Sequence, residues 1–397
     1  MTVVSSQNIT KMKLQFTQSK IELSLKALIV FLTLMAFYIS SNAQIITAEK
    51  VNIGLIYPIS TNGTHAVADT NQFSFNLLAG VSAAEQGLTF AGFSNVVRHD
   101  ARGLQFAGFS NHVGKKATGM MFAGFMNIYG QGKGLQFAGF TNIALKNVEG
   151  AQFSGFLNRA TDMRGTQIAG FSNVSQNLSG TQMAGFSNVA KRVNGTQIAG
   201  FNNTAEDVRG SQIAGFINVA KKIKGVQIAG FMNIADSSDH PIGLINIIKN
   251  GEQSIGFSAD ESRNALATFR SGGKVLYGII GAGYNFKNQD EVYAFELGLG
   301  AHLTNSGVFR INAELSTLTL ESFWSGEYFK SSFKFMPSIR PVKFLEIFGG
   351  PVFNYVNTNT SEGRALTSRY IKTWENRWGN NFQGIYVGYT GGINILF

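Results

Sequence analysis

A tetrad, Gly-Phe-x-Asn, recurs ten times in this chain, and its short period restricts what the chain can fold into. Its phenylalanines are Phe93, Phe109, Phe125, Phe140, Phe156, Phe171, Phe186, Phe201, Phe216 and Phe231. The spacing is 15 or 16 residues and settles to 15 from Phe156 onward. An asparagine follows two places after each phenylalanine, as in Asn173, Asn188, Asn203 and Asn218, and a glycine precedes each by six. Eight of the ten units carry glutamine four places before the phenylalanine. The consensus is Gly-x-Gln-Φ-Ala-Gly-Phe-x-Asn-Φ, with Φ apolar. A unit this short cannot hold a helix pair, and two glycines per unit would cost a helix roughly 1 kcal/mol each. A fixed period of this kind marks stacked repeats.

The expected fold class is all-β: a β-solenoid of stacked coils, then an antiparallel, outer-membrane-type β-barrel-like region. Strand alternation through the consensus puts Gln, Ala, Phe and Asn on one face. Coils stacked about 4.8 Å apart would form a buried phenylalanine ladder beside amide ladders of asparagine and glutamine. A second apolar row, Met163, Leu178, Val193, Val208 and Ile223, lies seven residues after the phenylalanines. It predicts one long strand, a polar corner, one short strand and a glycine corner per coil. In the rival geometry each repeat is one antiparallel strand of a large barrel wall, which would leave that second row in an exposed turn.

From about Gly272 the period becomes two. Candidate strands are Lys274–Phe286, Glu291–Thr304, Phe309–Leu320, Tyr328–Arg340, Leu345–Asn357 and Phe382–Phe397. In the second, Tyr293, Phe295, Leu297, Leu299, Ala301 and Leu303 share one face, opposite small and polar residues. That is the pattern of an outer-membrane barrel, although a water-soluble β-sandwich cap has the same alternation. Six strands are too few for a single-chain barrel, which needs eight. The missing ones are sought in 51–59 and 72–79 or at the end of the array. The expected division is 1–43 leader, 44–86 N-terminal strands or cap, 87–257 solenoid, 258–273 linker and 274–397 barrel-like region.

Lys20 and Lys26 precede the apolar run Ala27–Ile39, and Ser41-Asn42-Ala43 has a small-x-small ending. Together these read as a secretory signal peptide cleaved near Ala43; the run is short for a membrane span. Cysteine is absent, which excludes disulfide scaffolds, thiolate metal sites and a lipid-modified cysteine. The formal charge is +10. Its basic residues are scattered, not striped with aromatics, so nucleic acid is not an expected partner.

No residue constellation resembles a catalytic site. Gly165-x-x-x-x-Gly170 has phosphate-loop spacing, but Phe171 and Ser172 stand where that loop needs Lys-Ser/Thr. No cofactor is expected. Asp236-Ser-Ser-Asp-His240 reads as a polar loop where the repeat shortens. The segment 359–381 carries Arg364, Arg369, Trp374 and Trp378, and is the candidate binding loop for a glycan or protein ligand.

The array resembles the surface-repeat family known from leptospires and Bacteroidetes, whose members usually carry Gly-Leu-x-Asn where this chain has Gly-Phe-x-Asn. The terminal strand closing on Phe397 resembles the assembly signal of outer-membrane barrels. These resemblances imply an envelope address, outer membrane or cell surface, with outer-membrane lipid as a partner, and no established activity. The expectation is a non-enzymatic exported repeat protein, structural or ligand-binding. The alternatives are a pore or transporter whose repeats form part of the barrel wall, and a polysaccharide-active enzyme, for which the repeats offer no recurring carboxylate pair.

Overall fold

The computed structural model describes residues 51–323, 326–375 and 381–397. The leader and Trp378 lie outside the described residues.

The repeats form a parallel β-solenoid. Residues from Val51 to Ile248 supply 23 strands to one continuous sheet. In the strict units each residue pairs with its equivalent one coil on: Met163 with Leu178, Gly165 with Gly180, Gln167 with Gln182. The register holds without a slip from Asp162 to Ala229. One coil consists of a long strand (Asp162–Ala169), a bend at Gly170-Phe171, a short strand (Ser172–Val174) and a turn at Ser175-Gln176. The glycine six before each phenylalanine turns the long strand without breaking its pairing. Gly165 has φ +126°, a region L side chains rarely enter, and a Cβ there would lie 2.0 Å from the Gly150 carbonyl oxygen of the coil below.

The bend at Gly-Phe overturns one expectation. A strand running straight through the tetrad would put Phe on the same face as Gln, Ala and Asn. The chain instead turns at Gly170-Phe171, and the alternation restarts after it. Gln167, Ala169 and Asn173 face inward, whereas Phe171 is 42% exposed and Phe186 41%. The rings still stack, with centroids 4.8–5.0 Å apart from Phe93 to Phe231. They do so on the outer surface. The interior is built on the second apolar row, with Met163, Leu178, Val193, Val208 and Ile223 buried against alanines such as Ala190 and Ala205.

The C-terminal region is a closed eight-stranded antiparallel barrel. Its strands are Glu252–Asp260, Asn264–Gly272, Leu276–Asn285, Tyr293–Asn305, Phe309–Glu321, Tyr328–Val342, Leu345–Thr358 and Phe382–Leu396. Closure comes from the first strand pairing with the last, Phe257 opposite Ile393. The six strands expected from sequence are present with ends shifted by one or two residues. The two missing strands come from 252–272, which the sequence divides between the last coil and a linker. Residues 51–59 and 72–79 belong to the solenoid. The repeats form no part of the barrel wall, because their pairing is parallel and confined to the first sheet.

The barrel caps the solenoid. The Asn246 N–H donates to Ser271 Oγ at 2.9 Å, and its Nδ2 donates to the Ser271 carbonyl at 3.1 Å. Glycine is required where the two parts touch: a Cβ on Gly278 would lie 2.2 Å from the Gly243 carbonyl oxygen.

Candidate functional site

Three regions carry side-chain arrangements beyond packing: the solenoid interior, its aromatic face and the barrel lumen.

Two amide ladders run through the solenoid interior. Asn173 Nδ2 donates to Asn188 Oδ1 at 2.9 Å, Asn188 to Asn203 at 2.9 Å and Asn203 to Asn218 at 2.9 Å. Each Nδ2 also donates to a backbone carbonyl of the next coil, as Asn188 does to Ile198 at 2.7 Å. The glutamines donate in the opposite direction, Gln182 to Gln167 at 2.8 Å and Gln197 to Gln182 at 2.9 Å. These asparagines and glutamines are fully buried, so the ladder satisfies amides that would otherwise be costly to bury.

Sequence reasoning missed two interior residues. Tyr129 is buried where Gly132 leaves the apolar row empty; its hydroxyl accepts from Gln152 Nε2 at 2.6 Å and donates to Gln136 Oε1 at 3.2 Å. Glu85 is buried eight residues before Phe93, a position that later units fill with Met163, Leu178 or Val193. Asn71 Nδ2 (3.1 Å), Ser74 Oγ (2.9 Å) and Thr89 Oγ1 (3.1 Å) donate to its carboxylate. Burial pushes its pKa up, and these hydrogen bonds oppose that shift. A charge in an otherwise apolar row was the readable signal.

The aromatic face is a groove along the outside of the solenoid. The apolar residue three places before each phenylalanine also points outward, giving a second row that starts Phe90, Phe106, Phe122 and continues through Ile168 to Ile228. Phe106 and Phe122 stack at 4.9 Å. Glycines such as Gly108 and Gly124 floor the groove, which encloses about 520 Å³ over the early coils. The basic residues lie elsewhere: Arg192, Arg209, Lys222 and Lys224 line a separate groove on the opening part of the long strands.

The barrel has an apolar exterior and a charged interior. Phe295, Leu297, Leu299, Phe333, Phe353, Val387 and Ile393 are exposed on its outer wall. Inside, Arg270 Nε donates to Glu314 at 2.8 Å, joined by the Tyr277 hydroxyl at 3.0 Å. Lys330 pairs with Asp260 at 2.6 Å, and Lys334 pairs with Glu296. Arg310 and Arg340 both donate to Glu252, at 2.9 and 2.7 Å. A lumenal space lined by Asp260, Glu296, Lys330 and Lys334 measures about 20 Å³, room for roughly one water.

The described part of the candidate binding loop, 359–375, is structured. It contains a short helix (Ser361–Ala365) and a strand (Tyr370–Glu375) that pairs with the last barrel strand. The Arg364 guanidinium lies 5.1 Å over the Phe382 ring, and Trp374 Nε1 donates to Gln383 while its ring tilts against Tyr355. Arg369 is exposed, its N–H held by Thr367 Oγ1. Thus Arg364 and Trp374 engage the adjacent residues Phe382 and Gln383 of the last barrel strand. In the Asp236–His240 stretch, Asp236 pairs with Lys249, which holds its carboxyl below the usual range, and Asp239 accepts from the Gly225 N–H at 3.2 Å.

No family model matches the chain, and neither the curated proteins nor the solved structures yield a match.

Proposed function

We propose that this chain is a non-enzymatic outer-membrane protein in which the barrel is an anchor and the solenoid is the interaction or structural module it holds. The observation that carries this reading is the inversion of the barrel: apolar side chains outside, paired charges inside. Such an arrangement is costly in water, where the outer wall would be one continuous apolar patch, and favourable in a bilayer. The filled lumen supports an anchor over a pore, because conduction would require breaking several buried ion pairs at once.

The connections support a periplasmic solenoid. At the barrel end that meets the solenoid, the links 273–275, 306–308 and 343–344 are two or three residues long. At the far end the link 261–263 is three residues long, and the links 286–292, 322–327 and 359–381 are longer. Outer-membrane barrels keep short turns on the periplasmic side and long loops outside. Both barrel termini, Glu252 and Phe397, are at the short-turn end, where the Phe397 N–H donates to the Gln253 carbonyl.

Fractionation with labelling tests this. A cysteine replacing exposed Ser179 should stay unlabelled by an impermeant maleimide on intact cells, and one replacing Arg369 should react. Release of the protein by a high-salt wash, or stepwise ion conductance in planar bilayers, would defeat the anchor reading.

A further inference from the structure

The aromatic face of the solenoid has no partner among the described residues, and its geometry identifies one. The two outward rows run side by side through ten coils with the glycine row between them. From the Gln to the second Φ of every unit, eight residues each, the only charged side chain is Arg159. The rings in the phenylalanine row are nearly parallel to their neighbours, within 10° at every step.

We propose that two copies of this chain pair through this face, the phenylalanine row of each packing into the glycine-floored groove of the other. Three observations carry the pairing. The first is period: the ridge rises every 4.8–5.0 Å over nine steps, and a second copy presents a groove of the same pitch. The second is area. Eight of the ten phenylalanines in the row are 38–53% exposed, and Phe125 and Phe231 are half-buried. With about 200 Å² per side chain, the ten rings alone offer roughly 800 Å² per partner, the size of a standard stable interface. The third is charge. A face lying on a membrane surface is typically flanked by lysine and arginine that meet lipid phosphates, whereas here the basic residues line a separate groove. Burying this face on a copy of itself leaves no charge unpaired along nearly its whole length.

The direction of pairing follows from the anchor reading. The barrel caps the C-terminal end of the solenoid, so two barrels in one membrane require solenoids running the same way about a two-fold axis.

Because the chain has no cysteine, single cysteines report this directly. Full-length protein in isolated envelopes carries Ile168→Cys near the middle of the array, Ile228→Cys near the barrel, or Ser179→Cys in the basic groove region, and is treated with copper-phenanthroline. Disulfide-linked dimer is expected at 168 and 228 and not at 179. Crosslinking at 168 without 228 would overturn the same-direction arrangement and its shared-membrane premise. Absence of dimer at both positions would overturn the pairing, leaving lipid or another protein on the face. Adding Phe171→Ser, Phe186→Ser and Phe201→Ser should weaken dimerisation about a hundredfold or more with the far-UV spectrum unchanged, since these rings are outside the coil. Should that variant unfold, the cysteine scan decides alone.

Discussion

Replacing Asn188 by alanine should destabilise the solenoid more than replacing Phe186 by alanine, although the phenylalanine is the larger apolar residue. Asn188 is fully buried. Its Nδ2 serves Asn203 Oδ1 and the Ile198 carbonyl, and its Oδ1 receives Asn173 Nδ2. Truncation strips Asn203 Oδ1 of that donor and Asn173 Nδ2 of one of its two acceptors. Buried polar groups left unsatisfied cost about 1–3 kcal/mol each, and the small cavity adds to this, for a total of about 3–5 kcal/mol. Phe186 forfeits only the covered part of its ring, about 1–2 kcal/mol, plus two stacking pairs, on Phe171 and Phe201 at 4.9 Å, about 0.5–1 kcal/mol each, the low end of the range because the ring is 41% exposed, for a total of about 2–4 kcal/mol. Hydrogen exchange of amides in 170–205, read in dilute detergent, reports local opening energies for both variants. If Phe186→Ala lowers protection more than Asn188→Ala, or Asn188→Ala costs less than about 1 kcal/mol, the amide ladder is not what holds the coils together.

Gly180→Ala must be accommodated at φ +136° with its Cβ 2.1 Å from the Gly165 carbonyl oxygen. It should cost about 3 kcal/mol or more, measured as loss of exchange protection in the flanking coils. For Glu85 the folded pKa lies above its unfolded value. Its stabilising contribution is therefore full below the unfolded carboxyl range and is lost as pH rises through the folded value. Glu85→Gln should remove that dependence, so the melting advantage of the variant grows from acid to neutral pH; an advantage that shrinks would contradict the burial argument. Leu297→Arg puts a charge on the outer wall of the barrel and should cost about 2–4 kcal/mol in lipid if it lies near the bilayer midplane, seen as a lower folded fraction in vesicle refolding. An unchanged yield would mean that this wall does not meet hydrocarbon.

The coil was legible because its signals are local and repeated. The in-register asparagine, the glycine that alone tolerates the positive φ at its position, and the second apolar row each had to stack on their own copies, and they do. The side on which the phenylalanine falls was not legible, because it depends on whether the chain bends at Gly-Phe or runs straight through. Both backbones satisfy the same residue pattern until the glycine is seen against the coil below it: a Cβ on Gly170 would lie 2.1 Å from the Gly155 carbonyl oxygen. The barrel pattern was readable in strands with clean alternation such as Tyr293–Asn305. In 252–272, repeat-like residues Ser254-Ile255-Gly256-Phe257 disguise a barrel strand as one more coil. The lumenal pairs were hidden because their partners are distant in sequence; Arg270 meets Glu314, and Arg310 meets Glu252.

The opposite directions of the two ladders have a physical consequence. A long column of amides donating one way accumulates a dipole, and in a buried, low-dielectric interior that dipole is poorly screened. Here the asparagine column donates toward the barrel and the glutamine column away from it, so their dipoles oppose over the same coils. Each column also has a terminus. The asparagine run ends at Asn246, whose Nδ2 is taken by the Gly243 and Ser271 carbonyls. The glutamine run ends at Tyr129, whose hydroxyl accepts from Gln152 and passes a proton bond on to Gln136. Ser271 belongs to the second barrel strand, so the last amide of the solenoid makes its full set of hydrogen bonds only when the barrel has folded. A chain with no disulfide to staple it thereby ties the end of its repeat array to the barrel.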